Sequence, residues 1–121
     1  MAITKTTIAG ALAGTLCTDN AVSDASGTVA NAAQTVIWAV KVDGTETTAA
    51  NYIKILDATS GAPDSAAAQY VFYAPSAKAI EYIAYESVTL STGLTYWGTS
   101  TPANGSAQAA PTGTLLTRLL F

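Results

Sequence analysis

The regular spacing of apolar residues is the strongest structural signal in this chain, and it begins near residue 35. Within the segment 35–42, apolar side chains recur at every second position, namely Val36, Trp38, Val40 and Val42. Side chains of a β-strand alternate between the two faces of a sheet, so this spacing predicts a strand whose apolar face includes Trp38. Ile37 is the exception to the pattern. Asp43-Gly44 comes next and is typical of a turn.

Two further patterns predict strands in the middle of the chain. The segment 52–57 has Ile53 and Ile55 on one face and predicts that Lys54 points outward. The apolar segments 70–73 and 79–85 flank a four-residue segment that begins with Pro75. Two strands joined by a short turn led by proline predict a β-hairpin.

The last part of the chain alternates between strands and loops. Segments 88–90 and 94–97 predict two strands, and residues 98–113, rich in Gly, Pro and Thr, predict a long loop. The final segment, 114–121, places Leu115, Leu119 and Phe121 on one face, which predicts a closing strand.

Short strands at regular intervals, without a good helical pattern, predict an all-β fold. We expect an antiparallel two-sheet β-sandwich of the jelly-roll or Ig-like kind over residues 34–121. A small barrel gives the same pattern and remains an alternative. Residues 1–33 show no clear period, so they predict an N-terminal arm or, equally, edge strands of the same domain.

Composition narrows the classes of function. Ala, Thr, Ser and Gly make up half of the 121 residues, and only 11% are charged. A net charge of −3 disfavours a nucleic-acid binder, and no apolar run is long enough to predict a membrane span. Because so little charge keeps copies apart, this composition favours a protein that works inside an assembly.

Few residues are candidates for chemistry. The chain contains no histidine, and Ser76 and Lys78 fall in the predicted turn. Asp57 and Asp64 bracket a loop, but Asp in loops more often accepts backbone hydrogen bonds. The cluster around Asp19 and Asp24 lacks a calcium-loop pattern. We therefore predict a non-enzymatic protein and assign no catalytic residue, metal ligand or cofactor.

Partner contacts are predicted from apolar residues instead. In the arm we expect Ile3, Ile8, Leu12 and Leu16 to anchor it on a partner. Tyr96 and Trp97 are adjacent and face opposite sides of a strand, so at most one of them is available for an exposed aromatic patch. Such a patch would bind a glycan or a protein, although Tyr in a core with few Leu more often fills space.

Several segments together resemble a known class of proteins. They are, in order, Ile37–Gly44, Ala50–Asp57, Ala74–Lys78, Leu90–Tyr96 and Leu119–Phe121. Their order resembles small β-sandwich structural proteins from the virions of tailed bacteriophages, over residues 35–121. The resemblance rests on strand and turn residues and carries over no active-site residue.

The resemblance implies a structural role in the virion. The expected function is capsid decoration, in which the protein acts as cement at joints between capsid subunits. The expected partners are then the major capsid protein or other virion proteins, with a trimer favoured for the homo-oligomer. The alternative is a tail, baseplate or fibre module that binds a host receptor or glycan.

Overall fold

The computed structural model describes residues 3–8 and 14–121, with the side chains of Tyr85 and Ser87 left aside. These residues form nine β-strands and no helix. The strands are β1 (Ile3–Ile8), β2 (Gly14–Asp19), β3 (Thr28–Asn31), β4 (Thr35–Thr47), β5 (Asn51–Asp57), β6 (Tyr70–Ala74), β7 (Ala79–Leu90), β8 (Leu94–Thr99) and β9 (Gly113–Leu120).

The strands form two separate antiparallel sheets. The larger sheet has the order β1-β2-β9-β4-β7, and the smaller has the order β3-β8-β5-β6. The prediction of an antiparallel two-sheet sandwich is confirmed, and the barrel alternative is wrong because the sheets do not close into one. Residues 14–33 supply β2 and β3, which lie one in each sheet.

The core lies between the sheets and follows the predicted alternation in several strands. Val40 and Val42 of β4 are buried, as are Ile53 and Ile55 of β5. In β9, Leu115 and Leu119 are fully buried, with Thr117 between them on the same face. The Thr117 hydroxyl donates a hydrogen bond of 2.9 Å to the Lys41 carbonyl, which satisfies this polar group inside the core.

The predicted face of Trp38 is wrong. Ile37 is buried, whereas Trp38 is 48% exposed. The pairing of β4 with β7 shifts register between Ile37 and Ala39. Ile37 pairs with Val88 and Ala39 pairs with Ile83, so the extra residues of this irregularity lie on β7. Opposite it, burial in β4 changes from odd-numbered to even-numbered positions, and Ile37 marks this change.

Asp43-Gly44 does not form the predicted turn, because β4 continues to Thr47. The Gly44 N–H donates a hydrogen bond to the Lys78 carbonyl, and the Gly44 carbonyl accepts one from the Ala77 N–H, both at 2.8 Å. A Cβ at position 44 would lie 2.5 Å from the Pro75 carbonyl oxygen. Glycine is therefore needed for the close approach of the segment 75–78.

The predicted hairpin around Pro75 is also wrong. β6 pairs with β5 in the smaller sheet, whereas β7 pairs with β4 in the larger sheet. The segment 75–78 therefore crosses from one sheet to the other, and Ala77 adopts a positive φ of 58° there. As a consequence, β6 and β7 each form a free edge of their sheet on the same side of the sandwich.

Candidate interaction surfaces

The N-terminal contact residues lie at the edge of the larger sheet. β1 is the outermost strand and pairs with β2. Ile3 is 39% exposed, and Ile8 and Leu16 are half-buried. Leu12 lies outside the described residues. β2 carries the buried Cys17 and Asp19, so removal of residues 1–30 would disrupt the core as well as any arm.

Tyr96 and Trp97 do not form an exposed aromatic patch, because both are 0% exposed. They do face opposite sides of β8, as predicted. Tyr96 belongs to the core between the sheets. Trp97 lies opposite Lys54 of β5 on the outer face of the smaller sheet. Partner contact through either side chain would require the covering residues to move.

Alternation predicted that Lys54 points outward. Its side chain does lie on the outer face of β5, but it is buried there and does not reach solvent. Its ammonium group donates hydrogen bonds to the Ala103 carbonyl at 2.5 Å and to Gln108 Oε1 at 2.8 Å. The Gln108 amide in turn donates to the Ala103 and Ser106 carbonyls. Burial lowers the pKa of the Lys54 ammonium. These bonds fasten the loop 100–112 to Lys54 on the outer face of the smaller sheet.

A second buried polar group joins β2 to β8. The Tyr96 hydroxyl donates a hydrogen bond of 2.8 Å to Asp19 Oδ2, and Asp19 Oδ1 accepts one of 3.0 Å from the Ala21 N–H. Both side chains are 0% exposed. Burial raises the pKa of Tyr96 far above its usual range, and the Asp19 carboxylate raises it further. Burial also raises the pKa of the neighbouring Cys17 thiol, which disfavours the reactive thiolate.

Asp57 and Asp64, the two carboxylates that bracket a loop, accept hydrogen bonds from different segments. Asp64 Oδ1 accepts a hydrogen bond of 2.8 Å from the Gln108 N–H. Asp57 accepts hydrogen bonds from the N–H groups of residues 91–93 and from the Ser91 hydroxyl. The backbone N–H groups of Thr92 and Ser91 contribute most to lowering the pKa of Asp57 to about 2. Asp57 therefore holds the turn between β7 and β8 in place.

Substitution of Asp57 with Asn should change how stability depends on pH. The folded state lowers the pKa of Asp57, so its contribution is present above about pH 4 and is lost as pH falls towards 2. We expect Asp57→Asn to be less stable than the wild type at pH 7, and its stability to change less between pH 4 and pH 2. Thermal unfolding at several pH values measures this.

Asp24→Asn is the control for this comparison, because it removes a carboxylate outside the turn. An equal change in the acid dependence of both variants would contradict the role given to Asp57.

Other candidate sites are not formed among the described residues. In residues 3–8 and 14–121, no group of three or more Cys, Asp or Glu side chains is arranged to hold a metal ion. Across the same residues, no helix has the length and apolar character needed to span a membrane.

An apolar groove opens where β6 and β7 form neighbouring free edges. It has a volume of about 280 Å³, and it is lined by apolar and aromatic side chains that include Tyr70, Phe72, Tyr82, Ile83 and Val88. Ile83 is 75% exposed, which is the largest exposure of any large hydrophobic residue described. We call this feature the β6–β7 groove. Sequence reasoning missed it, because the two strands were expected to pair with each other.

The β6–β7 groove combines two features of an association surface. Edge strands present backbone N–H and C=O groups that can pair with another chain. Burial of exposed apolar side chains against a partner lowers the free energy of the complex.

Comparison of the chain with family models, with curated proteins and with solved structures gave no match.

Proposed function

We propose that this chain is a non-enzymatic structural protein of a bacteriophage virion, where it decorates the capsid and stabilises joints between capsid subunits. The observation that carries the proposal is the β6–β7 groove, with Ile83 exposed at the free edge of a twelve-residue strand. The virion assignment itself comes from the resemblance of the strand and turn residues described above. In this role the protein acts by burying surface between subunits.

The polar groups described above support a structural role. Asp57, Asp64, Asp19 and Lys54 each hold a loop or a strand in place through hydrogen bonds. A chain of this kind uses its ionisable side chains to fix its fold and offers apolar edges to partners. Homo-oligomers, with a trimer favoured, would place several grooves around one capsid joint.

Binding to capsids tests this proposal through Ile83. Burial of an Ile side chain is worth about 1.5 to 3 kcal/mol, so its loss weakens binding by about tenfold or more. We expect the wild-type chain to co-sediment with heads purified from phage that lacks this protein, and Ile83→Lys to bind at least about tenfold more weakly. Ile83 is largely exposed, so the variant should keep its thermal stability.

Thr114→Lys adds the same charge at an exposed position of β9 and is the matched control. We expect it to bind heads as the wild type does. Failure of the wild type to bind heads, or equal binding by Ile83→Lys and Thr114→Lys, would contradict the proposal.

A tail, baseplate or fibre module that binds a glycan is the second candidate. The residues first considered for it, Tyr96 and Trp97, are buried, but Trp38 is exposed instead. Wild-type chain that binds purified tails and leaves heads unbound would favour this second function.

A further inference from the structure

A second cavity differs from the β6–β7 groove in its chemistry. It has a volume of about 360 Å³ and lies beside β1, β2 and the connection between β3 and β4. Its walls include two aromatic rings, Trp38 and Phe121, together with polar side chains from Lys5, Asn31 and Gln34. We call it the Trp38 pocket. Binding sites for small polar ligands combine apolar walls with a few polar groups in this way.

The irregular pairing of β4 with β7 coincides with the exposed indole of this pocket. Trp38 lies between Ile37 and Ala39, where the register shifts and burial in β4 changes from odd-numbered to even-numbered positions. Trp38 keeps 48% of its surface exposed, while Ile37 is 3% exposed. Covering an exposed indole with a ligand lowers the free energy of the complex. A Trp side chain in the core is already buried and cannot contribute to binding in this way.

The polar side chains of the pocket have hydrogen-bonding groups that are available to a ligand. The Asn31 Nδ2 group donates a hydrogen bond of 2.9 Å to Thr35 Oγ1, and Thr35 donates one of 2.8 Å to the Ala33 carbonyl. This chain orients the Asn31 amide and leaves its Oδ1 and second N–H for other partners. Gln34 and Lys5 are exposed, and neither side chain has a hydrogen-bond partner within residues 3–8 and 14–121.

The pocket is positive, in contrast to the chain. Among the described residues of its lining, Lys5 is the one that is charged, whereas the whole chain has a net charge of −3. A carboxylate on a ligand would find an ammonium group there, and no acidic side chain of this described lining would compete with it.

We propose that the Trp38 pocket binds an acidic saccharide. A sugar ring has a C–H face that can stack on an indole and hydroxyl groups at its rim that need donors and acceptors such as Asn31 and Gln34. A uronic or sialic acid adds a carboxylate for Lys5. This combination of a ring, hydroxyls and one negative charge fits the pocket, and the binding does not depend on where the protein lies in a particle.

Titration of the purified chain with matched sugars tests this inference. Trigalacturonate is compared with galactotriose, and 3′-sialyllactose with lactose, because each pair differs in the carboxylate. Trp97 is 0% exposed, so fluorescence quenching by acrylamide reports mainly on Trp38. We expect acidic sugars to protect Trp38 from the quencher and to bind more tightly than their neutral partners.

Variants separate the roles of the ring and the charge. Direct binding of the same sugars by calorimetry should be about tenfold or more weaker for Trp38→Ala and largely kept by Trp38→Phe. Lys5→Gln should reduce the affinity for acidic sugars to that for neutral ones. Tyr73→Ala removes an aromatic ring of similar exposure, 47%, on β6 and should bind as the wild type does.

Three results would overturn the inference. They are the absence of binding to any of the four sugars, equal binding by Trp38→Ala and the wild type, and equal affinity for neutral and acidic sugars. Because the assay needs neither heads nor tails, its failure is distinguishable from failure of the proposed virion function.

Discussion

Replacement of Trp97 by alanine is expected to lower the free energy of unfolding by about 3 to 5 kcal/mol, the range for removal of a large buried aromatic side chain. Trp97 of β8 is 0% exposed and lies opposite Lys54 of β5. Its removal leaves a cavity beside Lys54, whose ammonium group fastens the loop 100–112. Chemical denaturation followed by circular dichroism measures the loss.

Trp38 supplies the matched control for this experiment. Because Trp38 is half exposed, Trp38→Ala should lower the free energy of unfolding by clearly less than Trp97→Ala does. Trp97→Phe should cost much less than Trp97→Ala, since the Trp97 Nε1–H is buried without a hydrogen-bond partner among the described residues. A similar loss in the free energy of unfolding for Trp97→Ala and Trp38→Ala would contradict the finding that Trp97 is buried and Trp38 is half exposed.

Removal of the Tyr96 hydroxyl should produce the second large effect. In Tyr96→Phe, the buried Asp19 carboxylate loses its side-chain donor and keeps the Ala21 N–H. Hydrogen bonds to charged groups contribute about 1.5 to 3 kcal/mol, and an unsatisfied buried charge costs more. We therefore expect Tyr96→Phe to lower the free energy of unfolding by about 2 to 3 kcal/mol.

A double-mutant cycle isolates the interaction between the two side chains. With Asp19→Asn already present, the Tyr96→Phe change should cost about 1 kcal/mol, the value for a neutral hydrogen bond. Tyr82→Phe is the control, because the Tyr82 hydroxyl donates an exposed hydrogen bond to the Tyr73 carbonyl. An equal cost of Tyr96→Phe with and without the carboxylate would show that the two groups are not coupled.

The sequence predicted those parts of the fold that depend on local alternation. Val40 and Val42 of β4, and Leu115 and Leu119 of β9, are buried as their spacing indicated. Each lies in a stretch where period two continues without a bulge. The all-β class and the long loop before β9 follow from the same local signals.

The failures share one physical cause, which is contact between residues far apart in sequence. Lys54 alternates correctly, but it is covered by a loop about fifty residues later. The segments around Pro75 have the local pattern of a hairpin, and only their pairing with β5 and β4 shows that they belong to different sheets. At Trp38 the pairing of β4 with β7 shifts register because β7 has extra residues between Ile83 and Val88, and Ile37 is the one local sign of this shift.

Both candidate surfaces depend on these non-local features. The β6–β7 groove exists because the two strands do not pair, and the Trp38 pocket includes an indole that is exposed where β4 and β7 shift register. The contact residues proposed from sequence were chosen from local apolar patterns. That choice included Tyr96 and Trp97 as candidate contacts, of which at most one was expected to be exposed, whereas long-range packing buries both.

The central proposal is that this chain works as a component of a particle through the surfaces it buries against neighbours. Its most direct test is the copy number of the chain in purified virions of the phage proposed to encode it, measured by quantitative mass spectrometry against labelled peptides. A decoration protein repeats at every capsid joint, so the account predicts hundreds of copies in each head. Virions that contain none of this chain would contradict it.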